Sequence, residues 1–208
     1  TSADGAAIAQ LIVGKQRHEL TGQASSGTYV RVPGGARAWL AAGLVDLSND
    51  AYPFLDTAVI DVPAGQVRRI EVARVGGGRL VAVRPAEDAP ALAIADVPQG
   101  RQLDVAAVRR LGSLLSEIKF DRVDPAEALQ AATRVAVSRV YTFGGLRLDV
   151  RVFERDGRFW LTLSAAAERP EAEASATGIN TRVAGWAYMV ADYIAERLTR
   201  KRADVLAD

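Results

Sequence analysis

Between residues 133 and 165 the chain carries three strand-like segments, Thr133–Tyr141, Leu146–Phe153 and Arg158–Ala165, joined by Gly144-Gly145 and Asp156-Gly157. Asp-Gly between two apolar runs is a strong local hairpin signal, because its residues accept the positive φ angles of a two-residue turn. Three strands joined this tightly can only run antiparallel. Any fold must be built around this meander.

Upstream, Val67–Arg74 reads as a period-2 strand whose apolar members are Val67, Ile70 and Val72. Its phase slips at the paired residues Arg68 and Arg69. Gly76-Gly77-Gly78 turns it into Arg79–Arg84, and Leu92–Val97 supplies a third arm. Asp104 is placed to cap a helix with apolar positions Val105, Val108, Leu111, Leu115 and Ile118. Nearer the start, Thr28–Val32, the turn Pro33-Gly34-Gly35 and Ala36–Ala41 predict a hairpin with Trp39 on its second arm. Ala7–Lys15 is a short apolar run before it, and Ser48-Asn49-Asp50 offers caps for a turn at Tyr52–Thr57.

Asp124-Pro125-Ala126-Glu127 has the residue order of a helix start, with Asp as N-cap and Pro in the first turn. Glu168–Gly178 reads as a polar, Ala-rich loop. A last helix is predicted from about Asn180 to Arg200, with Val183, Trp186, Val190, Tyr193 and Ile194 on its buried face and Tyr188 on the other. The expected class is α+β, in repeated units of antiparallel β-arms each followed by a helix packed on the sheet. The copies would be 67–118 and 133–200, with 7–57 as a shorter third. The organisation expected is one region over 1–208, divisible into similar sub-units 1–122 and 123–208 at a seam near Asp121–Pro125.

Several chemistries are closed to this chain. It has no Cys and a single His, His18, which removes thiolate nucleophiles, Zn–Cys sites and multi-His metal sites. His18 lies in a polar stretch with no Gly-x-Ser-x-Gly elbow to pair with Ser25 or Ser26. Gly14-Lys15 lacks the earlier Gly and the following Ser or Thr of a phosphate loop, and Gly76–Gly78 opens no helix. Asp46–Asp50 alternates oxygen ligands, but Ala51 and Thr57 stand where a calcium loop needs Gly and Glu. Asp56 with Asp61, and Asp121 with Asp124, read as solvated loop acids. An enzyme here would have to rely on carboxylates or serine, and none is expected.

Lys and Arg total 26 against 25 Asp and Glu, so no basic nucleic-acid module stands out. All the basic residues are Arg except Lys15, Lys119 and Lys201. Arg197, Arg200, Lys201 and Arg202 form a basic end to the predicted last helix, complementing its dipole and offering weak attraction to anionic headgroups. The aromatics are dispersed. The densest cluster is Gly185-Trp186-Ala187-Tyr188.

The order of short motifs resembles a bacterial family. Gly27-Thr28-Tyr29-Val30-Arg31, Trp39-Leu40, Phe54-Leu55-Asp56 and Val67-Arg68-Arg69-Ile70 are similar to the domain-of-unknown-function family numbered 4340. Phe143-Gly144-Gly145-Leu146, Phe159-Trp160-Leu161, Gly185–Tyr188 and Arg202–Leu206 continue the likeness. The resemblance implies a globular part outside the cytoplasm, periplasmic and held at the inner membrane by an N-terminal anchor that this chain does not include. It also implies company with ABC-type transport systems of the gliding-motility auxiliary kind. It supplies no catalytic residues.

The expectation is therefore a non-enzymatic interaction module of an ABC-type transport or envelope assembly. The alternative is a binding domain for a lipid, glycan or peptide in a groove between β-units. Interface candidates are Trp186, Tyr188, Tyr29 and Arg31. No cofactor, metal or nucleic-acid partner is expected.

Overall fold

The computed structural model describes residues 10–18, 26–45 and 55–207. The chain divides into two units, Thr1–Leu55 and Asp56–Asp208. That boundary differs from the expected seam at 121–125, which lies inside the second unit and contributes a strand to its sheet. The expected caps at Ser48–Asp50 and the start of the turn at Tyr52 fall outside the described residues, as does the Asp46–Asp50 oxygen cluster.

In the first unit, β1 (Ile12–Arg17), β2 (Gly27–Arg31) and β3 (Trp39–Ala42) form an antiparallel sheet in that order. The hairpin expected from Pro33-Gly34-Gly35 is present, with Val30 opposite Trp39. Thr28 is fully buried at its base. Its hydroxyl donates to the Gly43 carbonyl (2.9 Å) and accepts from the Val45 N–H (3.0 Å). Gly14-Lys15 sits within β1 and opens no helix.

The second unit is built on an eight-stranded antiparallel sheet. Its strands are β5 (Val67–Arg74), β6 (Gly77–Val83), β7 (Ala93–Ile94), β9 (Arg122–Pro125), β10 (Thr133–Thr142), β11 (Leu146–Arg155), β12 (Arg158–Ala167) and β13 (Trp186–Val190). They lie in the order β7-β6-β5-β10-β11-β12-β13-β9, while β4 (Ala58–Ile60) and β8 (Ile118–Lys119) pair separately. The mixed α+β class therefore holds, with β dominant. Strands from both sides of the expected seam hydrogen-bond into this one sheet. The phase slip at Arg68-Arg69 is a β-bulge: Arg69 faces Tyr141 and Val67 faces Thr142, so Arg68 is the extra residue.

One face of this sheet is apolar. Ile70, Val140, Leu148 and Ala165 form one row across four strands, and Val72, Ser138, Val150 and Leu163 form the next. Over it packs α3 (Asp192–Leu198), while α1 (Val105–Gly112) lies against the C-terminal turn at Arg202–Val205, with Leu111, Ile194 and Leu198 fully buried. Ser138, the polar member of the second row, donates its hydroxyl to the Leu198 carbonyl at the end of α3. Asp104 caps α1 as expected, its Oδ1 accepting from Ala106 N–H (2.8 Å) and Ala107 N–H (3.1 Å). The helix stops at Gly112, short of the expected Ile118, which instead enters β8.

Three expectations are corrected. Asp124 is not a helix cap: it lies in β9, and the short 3-10 turn Ala126–Leu129 that follows has no side-chain cap. The stretch expected as a loop holds α2 (Glu173–Val183). The long last helix is three elements: Asn180–Val183 end α2, and β13 and α3 follow, with Gly185 at φ +79° between α2 and β13. A left-handed residue ends a helix, and Trp-Ala-Tyr-Met-Val is aromatic and branched enough to prefer an extended strand.

α2 has a further task. β13 pairs with β12 only along Phe159–Leu161, which leaves the rest of that edge open. The Asn180 side-chain amide closes it at Ala165, accepting from the N–H and donating to the C=O, both at 2.8 Å.

Arg84 is the buried cation of the fold. Its guanidinium donates to the carbonyls of Val67 (3.1 Å), Ala64 (3.2 Å) and Ala89, and it forms no ion pair among the described residues. It ties the start of β5 to the chain on either side. Arg84→Met should lower stability by about 3 kcal/mol, since carbonyls left unpaired outweigh relief of the buried charge. For a chain of this size that is a fall in Tm of roughly 6–12 °C. Thermal melts of the variant against wild type check it.

Candidate interaction surface

The second face of the large sheet is charged. Three cross-strand rows run over it: Arg69, Tyr141 and Arg147; Glu71, Arg139 and Asp149; Ala73, Val137 and Arg151, with Arg79 opposite Ala73. The strands alternate strictly here, so the residues between those of the apolar face must share this one.

Glu71 and Asp149 are both buried, although they lie on the solvent side. Glu71 pairs with Arg69 and with Arg79 (2.9 Å), and Asp149 with Arg139 (2.8 Å) and Arg147 (2.9 Å). Hydrogen bonding to Asp149 holds Arg139 in its charged form more firmly, raising its pKa. The arginine stems cover the carboxylates while the heads stay exposed. A molecule approaching this face meets Arg69, Arg79, Arg139, Arg147 and Arg151 over two sunken carboxylates. Ala73 and Val137 leave a shallow depression of about 330 Å³ between Glu71, Arg79 and Arg139.

At one end this face turns apolar. Phe153, Trp160 and Met189 form a row that, with Leu129 and Ala187, makes a second small core. Arg155 seals it, its guanidinium 3.8 Å from the Trp160 ring centroid and bonded to Asp124 Oδ2 at 2.7 Å. That hydrogen bond is the chief reason the Asp124 carboxyl is held below its usual pKa. Burial opposes it, and Arg122 adds to the lowering.

The four interface candidates divide between the two units. Tyr29 and Arg31 are exposed on β2 of the first unit, and Trp186 and Tyr188 lie on β13 of the second. Of the last pair, Tyr188 is the buried one at 6% exposure, and Trp186 is 45% exposed. This reverses the helix-based assignment. Tyr188 packs against Phe120 with ring centroids 5.3 Å apart, and burial pushes its hydroxyl pKa up. Tyr193, expected in the core, is exposed. The arginine face was missed because its members come from two hairpins, β5–β6 and β10–β11, that are distant in sequence. The alternation of Arg and acid in Arg69-Ile70-Glu71 and Arg147-Leu148-Asp149 was its only local trace.

The remaining acids do structural work: Asp56 accepts from the Ala58 N–H and Asp61 from the Glu117 N–H. Among the described residues no cluster of His, Asp and Glu could hold a metal ion. No helix of the described residues is long and apolar enough to cross a membrane. An open groove of about 590 Å³ lies where α2 faces Ile60–Val62 and the β10–β11 turn. Several of its polar groups are already engaged: Thr142 with Leu146, Arg182 with Val59 and Asp61 with Glu117.

The profile of the family described as Domain of unknown function (DUF4340) matches residues 1–134. The chain belongs to this family. No curated protein and no solved structure matches it. The DUF4340 match takes in the first unit and, in the second, everything up to the start of β10. Glu71 and its two arginines fall inside the DUF4340 segment, while Asp149 and the motifs from Phe143 onward lie beyond it.

Two outcomes follow. Tyr188→Ala should cost about 3–5 kcal/mol, as for other buried aromatics, while Trp186→Ala should melt close to wild type. For Asp124→Asn, the depressed native pKa means the ion pairs stabilise the fold above the unfolded value of about 3.9 and are lost as pH falls through the native one. The variant should be about 1–2 kcal/mol less stable than wild type at pH 7, with the gap narrowing as pH falls through the depressed native pKa. Urea unfolding over an acid pH series measures it.

Proposed function

We propose that this chain is a non-enzymatic interaction module that docks through its arginine-covered sheet face onto an acidic surface of a partner protein. The observation that carries the reading is the composition of that face: five guanidiniums, exposed or half-exposed, above two buried carboxylates. Ion pairing within the face fixes the arginine heads before a partner arrives, which reduces the ordering cost of association. Exposed pairs of this kind add little stability by themselves, so their concentration on one face points to recognition.

The setting we propose is outside the cytoplasm, tethered to the inner membrane, in the service of an ABC-type transport or envelope assembly. Its support is the family resemblance. The alternative, a lipid, glycan or peptide bound in the groove beside α2, has that cavity in its favour. It is the weaker reading because much of the groove's polar lining is spent on internal hydrogen bonds.

Arg147→Gln/Arg151→Glu removes one charge of the face and reverses a second, while the Gln amide can still donate to Asp149 beside its pair with Arg139. Like charges facing each other across an interface cost several kcal/mol. Full-length protein carrying both changes should lose its membrane-protein partners in pull-downs from native membranes, with its melting temperature little altered. Recovery of the same partners at the same yield by the double variant sinks the docking reading.

A further inference from the structure

A cleft of about 730 Å³ opens where the tip of the β5–β6 hairpin meets the C-terminal turn Arg202–Val205. Its walls carry Arg74, Arg79, Lys201 and Arg202 against Asp96, with Asp204 next to Lys201, and Gly77 forms part of its floor. The volume lies within the range of small-ligand sites. The four basic residues come from two stretches of chain, a hairpin tip and the C-terminal turn, so the fold is what brings them together.

The guanidiniums are steadied, each by a group on one side. Arg74 Nη1 donates to the Thr199 carbonyl (2.8 Å), Arg202 Nη1 to the Asp96 carbonyl (3.1 Å) and Arg79 Nη2 to Glu71 Oε2 (2.9 Å). Each guanidinium has five N–H donors, so further donors remain for a ligand while the side chain is already held. Lys201 forms no ion pair among the described residues. Its backbone N–H is fixed by the Asp204 carboxylate at 2.8 Å, which anchors the stem at the cleft wall. Asp96 holds a left-handed φ of 57°, a strained conformation of the kind that collects at ligand sites. Gly77 has an ordinary φ, and a Cβ built on it meets no atom within 4 Å, so the cleft floor is open space.

We infer that this cleft binds a phosphate or pyrophosphate group, with Arg74, Arg79, Lys201 and Arg202 as its donors. Forked guanidiniums match phosphate oxygens in pairs, and a flexible ammonium adds a point charge. A carboxylate ligand would use fewer of these donors. The open mouth leaves the charges in high dielectric, so affinity depends on all four acting together and falls with salt. The site is separate from the docking face, and Arg79 is the one residue at the border of both.

The test is titration of the chain with inorganic pyrophosphate at low ionic strength, read by amide chemical shifts. Saturable shifts confined to residues 74–79, 96 and 201–206 are expected. Lys201→Glu and Gly77→Glu should each weaken binding about tenfold or more, a loss of one charge-assisted contact or greater. Lys201→Gln should weaken it less, and all three should melt like wild type. Arg151→Glu, on the docking face, should bind as wild type does, so failure of the docking reading leaves this result unchanged. No shift at these amides up to millimolar pyrophosphate, or equal binding by Lys201→Glu and Gly77→Glu, overturns the inference.

A second arm identifies the source of the phosphate. Cosedimentation with phosphatidylglycerol–phosphatidylcholine vesicles, absent for phosphatidylcholine alone and lost in Lys201→Glu, assigns it to a lipid headgroup. Pyrophosphate binding without cosedimentation assigns it to a soluble phosphate ester. Vesicle binding that persists in both acidic variants, with no pyrophosphate shift, counts against the cleft.

Discussion

A slip of one residue of β11 along β10 would exchange Leu148 for Asp149 on the face that meets α3. The charges of that strand would be driven under the helix and its aliphatic side chains into water. The register of this hairpin is thus held by the full cost of inverting both faces. The same constraint passes outward through each ladder, since β5 takes its register from β10 and β12 from β11. Burial of one face and exposure of the other are a single event. The arginine rows are the necessary reverse side of the apolar rows, and the candidate interaction surface exists because the core does.

The elements that were legible from sequence are those with local signals. Asp156-Gly157 and Gly144-Gly145 specify turns, the intervening segments are strands to within two residues, and Asp104 caps α1 through its own backbone neighbours. The slipped phase at Arg68-Arg69 was legible as an irregularity, and its cause is the bulge. Between 168 and 200 local signals conflicted with the fold. α2 buries little more than Ala176 and Val183, so it lacks the apolar stripe by which a helix is recognised. Val183, Trp186 and Val190 recur at helical spacing only by coincidence, since Gly185 interrupts any helix passing through them. Tertiary pairing with β12 and β9 then draws Trp186–Val190 into the sheet.

The candidate site was less legible than the fold for a related reason. Glu71, Arg139 and Asp149 meet only through pairing of three strands, and separations along the chain carry no information about it. The cleft at Arg74, Lys201 and Arg202 is assembled the same way, from a hairpin tip and a C-terminal turn. The basic residues of that turn were visible as a run, but their partners were not.

The Asn180 amide at Ala165 has a consequence for how molecules of this protein meet one another. A strand docking at an open edge leaves a new edge behind it, so the process can repeat without limit. A side-chain amide satisfies one N–H and one C=O and carries no backbone onward from which another strand could grow. The stretch of β12 beyond its pairing with β13 is therefore guarded at Ala165 by a single residue of a weakly amphipathic helix, while β9 forms the outer edge of the sheet on that flank.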